Sequence, residues 1–254
     1  MTAGMERRAA SNRWERAPRL ARYAVAAVAM ILLAVHAIGG YFESHPFSFV
    51  PAPPGAPRHR DPVVAVFWSG DMGLRLGTAE TVIGTLGKLG FPVLTVSSPM
   101  LFAGKRDTAF VDEQVARSLR EALDRSGASK AVVIGNSFGA DMVAVGLGHL
   151  PADLRARISS VVLVVPGMSI HFHANPTGLF YTGPTDADPD RTIRLLHGLP
   201  VSCIYGRAED DSLCDDPLLT RARRIGIDDG HMMLWSREAI DRAVINTVLS
   251  PPRP

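Results

Sequence analysis

Short, unbroken apolar runs separated by helix-length segments restrict this chain more than any other feature. Val63-Val-Ala-Val-Phe-Trp68 lies between Pro62 and Gly70. Consecutive apolar, β-branched positions leave no polar face, so such a run suits a strand covered on both sides. Similar runs follow at Phe91–Val96, Ala131–Ile134, Ile158–Val165 and Val201–Tyr205, with a short strand expected around Arg224–Ile227. Pro92 sits near the start of its strand, where a missing N–H matters least. Between the runs, helices are expected over Thr78–Leu89, from a cap at Asp107 or Thr108 to about Ser126, over Phe138–Leu147, and from a Ser236 cap to Leu249. In the second of these, Val111, Val115, Leu119 and Leu123 recur every four residues, as a helix facing a core requires. Strands alternating with helices predict an α/β fold of parallel βαβ units with right-handed crossovers. There is no internal repeat, and residues 166–198, rich in Gly, Pro and His, are expected to form a loop or cap over the sheet edge.

Charge is unevenly placed along the 254 residues. The chain carries 27 Lys+Arg against 25 Asp+Glu, but six arginines and only three acids lie in residues 1–57. That leaves 21 basic and 22 acidic residues in 58–254. The basic excess belongs to the N-terminal arm, so the body has no electrostatic case for nucleic-acid binding.

That arm reads as a membrane address. The basic segment 1–23 ends at Arg22 and Tyr23, and Ala24–Phe42 follows as 19 residues whose one titratable side chain of ordinary charge is His36. This length just matches a bilayer span. Arginines before it and Glu43 after it place the N-terminus in the cytoplasm and the body outside it. A cleaved signal sequence, with Val35-His36-Ala37 as a small-residue cleavage site, is the competing reading; the long arginine-rich leader favours an uncleaved anchor. Residues 43–62, with six prolines between Pro46 and Pro62, are expected to be a semi-rigid linker to a body spanning 63–254.

Cys203 and Cys214 are the two cysteines of an exported chain, and they are read as one disulfide. Closing this 12-residue loop contributes about 3 kcal/mol in the chain-entropy account.

Gly135-Asn136-Ser137-Phe138-Gly139 is G-x-S-x-G, set between a buried strand and a helix. That setting is what a nucleophile elbow needs, with glycines where side chains would collide across the tight turn. A serine hydroxyl needs a base, expected on a loop after the last strand; His231 occupies it, and no histidine follows. The acid that orients the imidazole is expected after the preceding strand, where Glu209, Asp210 and Asp211 stand. Glu209, three residues past Gly206, is preferred, and Asp211 is the rival. The oxyanion donors are expected to be the Phe138 N–H and that of Asp71 or Met72, in Ser69-Gly70-Asp71-Met72-Gly73.

Four ordered motifs resemble the bacterial VirJ and AcvB virulence proteins, a branch of the α/β-hydrolase superfamily. They are Ser69-Gly-Asp-Met-Gly73, Gly135-Asn-Ser-Phe-Gly-Ala-Asp141, Cys203-Ile-Tyr-Gly206 running into an acidic stretch that ends at Cys214, and Gly230-His231. The resemblance covers about 63–250, with departures at Met72, Met232 and 166–198. It implies an α/β-hydrolase fold, a mostly parallel sheet with helices on both faces, here preceded by one transmembrane helix. It also implies a periplasmic serine hydrolase that releases the amino acid from lysyl- or alanyl-phosphatidylglycerol, a phospholipid substrate at the membrane surface. Asp141 and Asp71 are placed to attract an ammonium group. Another exported esterase or thioesterase, and a non-catalytic partner of secretion-apparatus proteins, are the other readings. No cofactor and no metal are expected, because His171-Phe172-His173 is a lone histidine pair in a loop.

Overall fold

The computed structural model describes residues 3–75, 77–175, 181, 183–233 and 235–253, with side chains from Ala21 onward. It divides into two units, Met1–Ala37 and Ile38–Pro254. The first is almost entirely α1 (Ala3–Ile38). Its apolar window, Ala21–Ile38, has mean hydropathy 1.9 and no buried residues. Eighteen helical residues measure about 27 Å, close to the hydrocarbon thickness of a bilayer. The expected span of 24–42 is corrected at its end: the helix stops at Ile38. Gly40, at φ 82°, adopts the left-handed conformation that closes helices, and Tyr41 packs on the core of the second unit.

The second unit begins with β1 (Phe47–Val50), β2 (Val63–Trp68), α2 (Ala79–Lys88), β3 (Val93–Val96), α3 (Ser98–Leu101) and α4 (Thr108–Ser126). It continues with β4 (Lys130–Asn136), α5 (Phe138–Leu147), α6 (Ala152–Arg155), β5 (Ile158–Val164) and α7 (Pro189–Leu195). The remaining elements are β6 (Val201–Gly206), a 3-10 turn at Leu213–Asp215, β7 (Arg223–Ile227) and α8 (Arg237–Leu249). Seven strands form one sheet in the order β1-β3-β2-β4-β5-β6-β7. All neighbours are parallel except β1, which runs antiparallel to β3 at the edge.

β1 corrects the linker expectation for 43–62. Phe47 is buried and Phe49 packs against the same core, so alternate residues face inward. Pro46 and Pro51 flank the strand, where the missing N–H groups remove nothing from the ladder. Among the described residues of 166–198, the expected loop contains one helix, α7, with Asp188 capping it through the Arg191 N–H.

The apolar runs are buried on both faces. Val64, Val66 and Trp68 belong to one core cluster, and Ala65 and Phe67 to the other. Each fully buried side chain of this size stabilises the fold by about 1.5–3 kcal/mol. α5 is apolar on every face except at Asp141, because the sheet and α4 enclose it. Asp107 caps α4 by accepting the Phe110 N–H at 2.8 Å. Ser236 precedes α8 without a side-chain capping bond.

Candidate active site

Parallel register brings several strand ends to one edge. Trp68 pairs with Gly135, Asn136 with Val164, and Gly206 with Ile227. The loops after β2, β4, β5, β6 and β7 therefore open on the same side, the carboxyl edge where α/β sheets bind ligands.

Ser137 sits between β4 and α5 at φ 50°, ψ −123°, a conformation that a residue with a Cβ rarely adopts. Its N–H donates to the Val164 carbonyl at 2.8 Å, which holds the turn. A Cβ on Gly135 would lie 2.5 Å from Cα of Ala140, and one on Gly139 would overlap the Trp68 and Ser69 carbonyls. Both glycines are therefore steric requirements of the elbow. Val165 and Met233, each at φ 47°, are the other non-glycine residues with positive φ among those described. All three line one hollow. For β-branched Val165 this is a clear departure from the allowed regions, and such strain collects at functional sites.

His231, Ser137 and Glu209 meet although they come from three loops. His231 Nε2 lies 2.9 Å from Ser137 Oγ, and His231 Nδ1 lies 2.6 Å from Glu209 Oε1. The other Glu209 oxygen accepts the Gly206 N–H at 3.0 Å. Glu209 is 4% exposed at its side chain, against 41% for His231. A buried carboxylate with both oxygens engaged fixes one ring orientation of its histidine. Gly206 makes this approach possible, since a Cβ there would overlap the Asp229 and Gly230 carbonyls just before His231. The sequence marks that glycine as the point from which the acid is counted, and the structure adds the steric reason for it. Asp210 and Asp211 are exposed and line the neighbouring cavity without reaching the histidine.

Cys203 and Cys214 form a disulfide across a Cα–Cα distance of 5.5 Å. One cysteine is in β6 and the other in the 3-10 turn, so the bond closes the loop that carries Glu209.

The Phe138 N–H opens α5 beside Ser137, where the first turn of a helix leaves N–H groups without intrahelical partners. Asp71 and Met72 line a hollow beside Ser137. The Asp71 carboxylate is occupied: it accepts the Asn175 N–H at 2.8 Å and the Tyr181 hydroxyl. Burial raises the Asp71 pKa above the ordinary carboxylate range despite these bonds. Asp141, in the first turn of α5, accepts the Gly167 N–H at 2.9 Å. Desolvation pushes its pKa well above the usual range, with Asp71 and Asp211 adding like-charge repulsion. Asp71 thus holds Asn175 and Tyr181, while Asp141 is a buried carboxyl facing the cavity.

No curated protein matches the chain significantly. Solved structures do. Est1E from Butyrivibrio proteoclasticus aligns with TM-score 0.61 at 13% identity, covering 80% of this chain and 92% of that one. The thioesterase domain from the curacin biosynthetic pathway aligns with TM-score 0.51 at 14% identity, covering 78% and 94%. Naproxen esterase from Bacillus subtilis aligns with TM-score 0.50 at 12% identity, covering 80% and 87%. At such identities the likeness establishes the α/β-hydrolase fold alone. The family model for bacterial virulence protein (VirJ) matches residues 62–250, nearly the whole body. With that match over most of its length, the chain belongs to the VirJ family of bacterial virulence proteins.

Proposed function

We propose that this protein is an exported serine hydrolase that cleaves the aminoacyl ester of an aminoacyl-phosphatidylglycerol. The Ser137–His231–Glu209 chain of hydrogen bonds carries the reading. Ser137 Oγ attacks the ester carbonyl while His231 Nε2 takes its proton. The carbonyl oxygen becomes an oxyanion held by the Phe138 N–H and that of Asp71 or Met72. As the intermediate collapses, His231 returns the proton to the departing glycerol oxygen, leaving the aminoacyl group on Ser137. Water, deprotonated by His231, then hydrolyses that acyl-enzyme and restores the serine. Glu209 stabilises the imidazolium formed in each half.

The substrate class is supported by the cavity beside Ser137. It has a volume of about 470 Å³, with Asp210 and Asp211 exposed on its wall and no lysine or arginine in its lining. Such a lining attracts an ammonium group and repels anionic acyl chains. The apolar helix at 21–38 supports tethering at a membrane, where the lipid headgroup is concentrated. In this reading the body works in the periplasm.

The test is hydrolysis of lysyl- and alanyl-phosphatidylglycerol in mixed vesicles by the full chain in detergent. Release of the amino acid is expected, and Ser137→Ala should reduce kcat on the order of 10⁴–10⁶-fold. Ser137-dependent turnover of p-nitrophenyl esters but of neither lipid would replace this reading with that of a general exported esterase. Lipid turnover unaffected by Ser137→Ala would remove the serine mechanism.

A further inference from the structure

A second cluster of side chains lies on the segment that follows β5, outside the hydrogen-bonded Ser137–His231–Glu209 chain. Phe172 turns into the core, and its backbone is held from both sides. The Phe172 carbonyl accepts the Arg106 N–H at 2.9 Å, and the Ala174 N–H donates to the Phe102 carbonyl at 2.8 Å. The histidines flanking Phe172 bring their rings to 5.8 Å between centroids. A second stretch reaches them through an isolated antiparallel bridge between Ile170 and Ala187. There the Asp186 N–H donates to the Ile170 carbonyl at 2.8 Å, and the Phe172 N–H donates to Asp186 Oδ2 at 2.9 Å. One donor atom from each of His171, His173 and Asp186 then lies within 4.8 Å of the others. His171 is 5% exposed, and Nδ1 of His173 is buried with no hydrogen-bond partner. A buried ring nitrogen without a partner is costly unless another group satisfies it.

We propose that His171, His173 and Asp186 bind one divalent transition-metal ion of the zinc class. Two imidazoles and a carboxylate are a borderline donor set that suits zinc and disfavours magnesium or calcium, which prefer all-oxygen shells. Ligands at about 2.0–2.1 Å from a tetrahedral ion stand about 3.4 Å apart, so donors already within 4.8 Å need only small side-chain rotations. Water completes the shell. Lys105 Nζ lies 2.8 Å from Asp186 Oδ1 and now balances the carboxylate. Its side chain is 65% exposed, so it swings into solvent when an ion takes its place. The Phe172 N–H is the outer partner that keeps Asp186 oriented, a role such sites regularly require.

The ion also has a route to the Ser137 cleft. Tyr181 stacks on His171 with centroids 5.0 Å apart and planes 11° apart, and its hydroxyl donates to Asp71. Asp71 lines both hollows beside Ser137. Bound metal therefore fixes the ring against which Tyr181 packs, making this a structural site at the edge of the cleft. It stands on its own geometry and is independent of the proposed substrate.

The test uses the full chain in detergent, purified with a tag free of histidine, stripped with EDTA and titrated with Zn²⁺. Calorimetry and elemental analysis after dialysis should show one zinc per chain, and Co²⁺ should give the ligand-field absorption of four- or five-coordinate cobalt. His173→Ala is the decisive variant, because that residue is only half-buried and its Nδ1 has no partner to lose. It should weaken Zn²⁺ binding by more than the roughly 10–100-fold typical of losing an outer-shell partner. It should also abolish the rise in melting temperature that Zn²⁺ produces in the parent. Lys105→Ala should bind Zn²⁺ at least as tightly as the parent, since it frees Asp186. Lack of stoichiometric zinc in the parent, undiminished binding in His173→Ala, or weakened binding in Lys105→Ala would each overturn the site.

Discussion

The two hollows that flank Ser137 differ in almost every respect. On the side of the Glu209 loop is a roomy acidic cavity of about 470 Å³. On the side of the β2 loop and His231 is a space of about 80 Å³ lined by Met72, Met232, Met233, Val165 and Ile240, with Asp71 as its one acid. Two exposed acids side by side on its wall, Asp210 and Asp211, are unfavourable for each other, because like charges repel. Such an arrangement has a physical use when a cation enters. Methionine and isoleucine ask for the opposite, a flexible apolar group. An ester with a cationic acyl part and a lipid alcohol has that same division, so the proposed substrate places its amino acid on the acidic side and its glycerol chain toward the methionines.

Several variants would break or sharpen this contrast, beginning with those of largest effect. Glu209→Gln should lower kcat on the order of 10⁴-fold, because it removes the charge that stabilises the imidazolium, while Asp211→Asn should leave kcat within about tenfold. Loss of activity confined to Asp211→Asn would reassign the acid. Replacing both Cys203 and Cys214 by serine should destabilise the body by about 3 kcal/mol, a fall in melting temperature of roughly 6–12 °C for a body of this size. Measured by calorimetry, an unchanged melting temperature would show that the loop carrying Glu209 does not depend on the bond.

Asp210→Asn combined with Asp211→Asn tests the acidic side alone. Each exposed charge is worth about 0.2–1 kcal/mol, so KM for lysyl-phosphatidylglycerol should rise about twofold to 30-fold with kcat little changed. KM for a neutral ester should hardly move, and equal effects on both substrates would remove the electrostatic account of this side. Met232→Ala, on the apolar side, should cost less than about 1 kcal/mol in kcat/KM for the lipid because its side chain is partly exposed already.

Asp141 ties stability to pH. Its folded pKa is raised by burial, so between the ordinary carboxylate value and that raised value the native state holds a proton that the unfolded chain has released. The resulting penalty is absent below the ordinary carboxylate pKa of about 3.9 and grows as pH rises from there toward the raised value. Asp141→Asn keeps an oxygen for the Gly167 N–H and removes the penalty. Its melting temperature relative to the parent should increase from pH 4 to pH 7; a constant difference would mean that Asp141 titrates normally.

Much of this architecture was legible before any coordinates. Apolar runs such as Val63–Trp68 predict strands buried on both faces, and they are. The strand–turn–helix setting of Gly135–Gly139 predicts the elbow, and the positive φ of Ser137 matches it. Two parts of the N-terminal region were misread for local reasons. Phe47–Val50 is too short and too rich in flanking proline to stand out as a strand, and only the exposed edge of β3 makes it one. Gly39-Gly40 looks apolar enough to continue a membrane span, but it ends the helix.

What the sequence determined by itself was the class of fold and the kinds of chemistry available: which runs must be buried, which serine sits in a turn, which histidine follows the last strand. Those are local properties, set by periodicity and by the steric demands of single residues. The tertiary structure alone decided which of three neighbouring acids reaches His231, that Asp71 is spent holding Asn175 and Tyr181, and that Asp186 joins the pair His171 and His173. These are meetings of side chains from separate loops, settled by strand register and by close backbone approaches such as that at Gly206, and spacing along the chain carries no record of them.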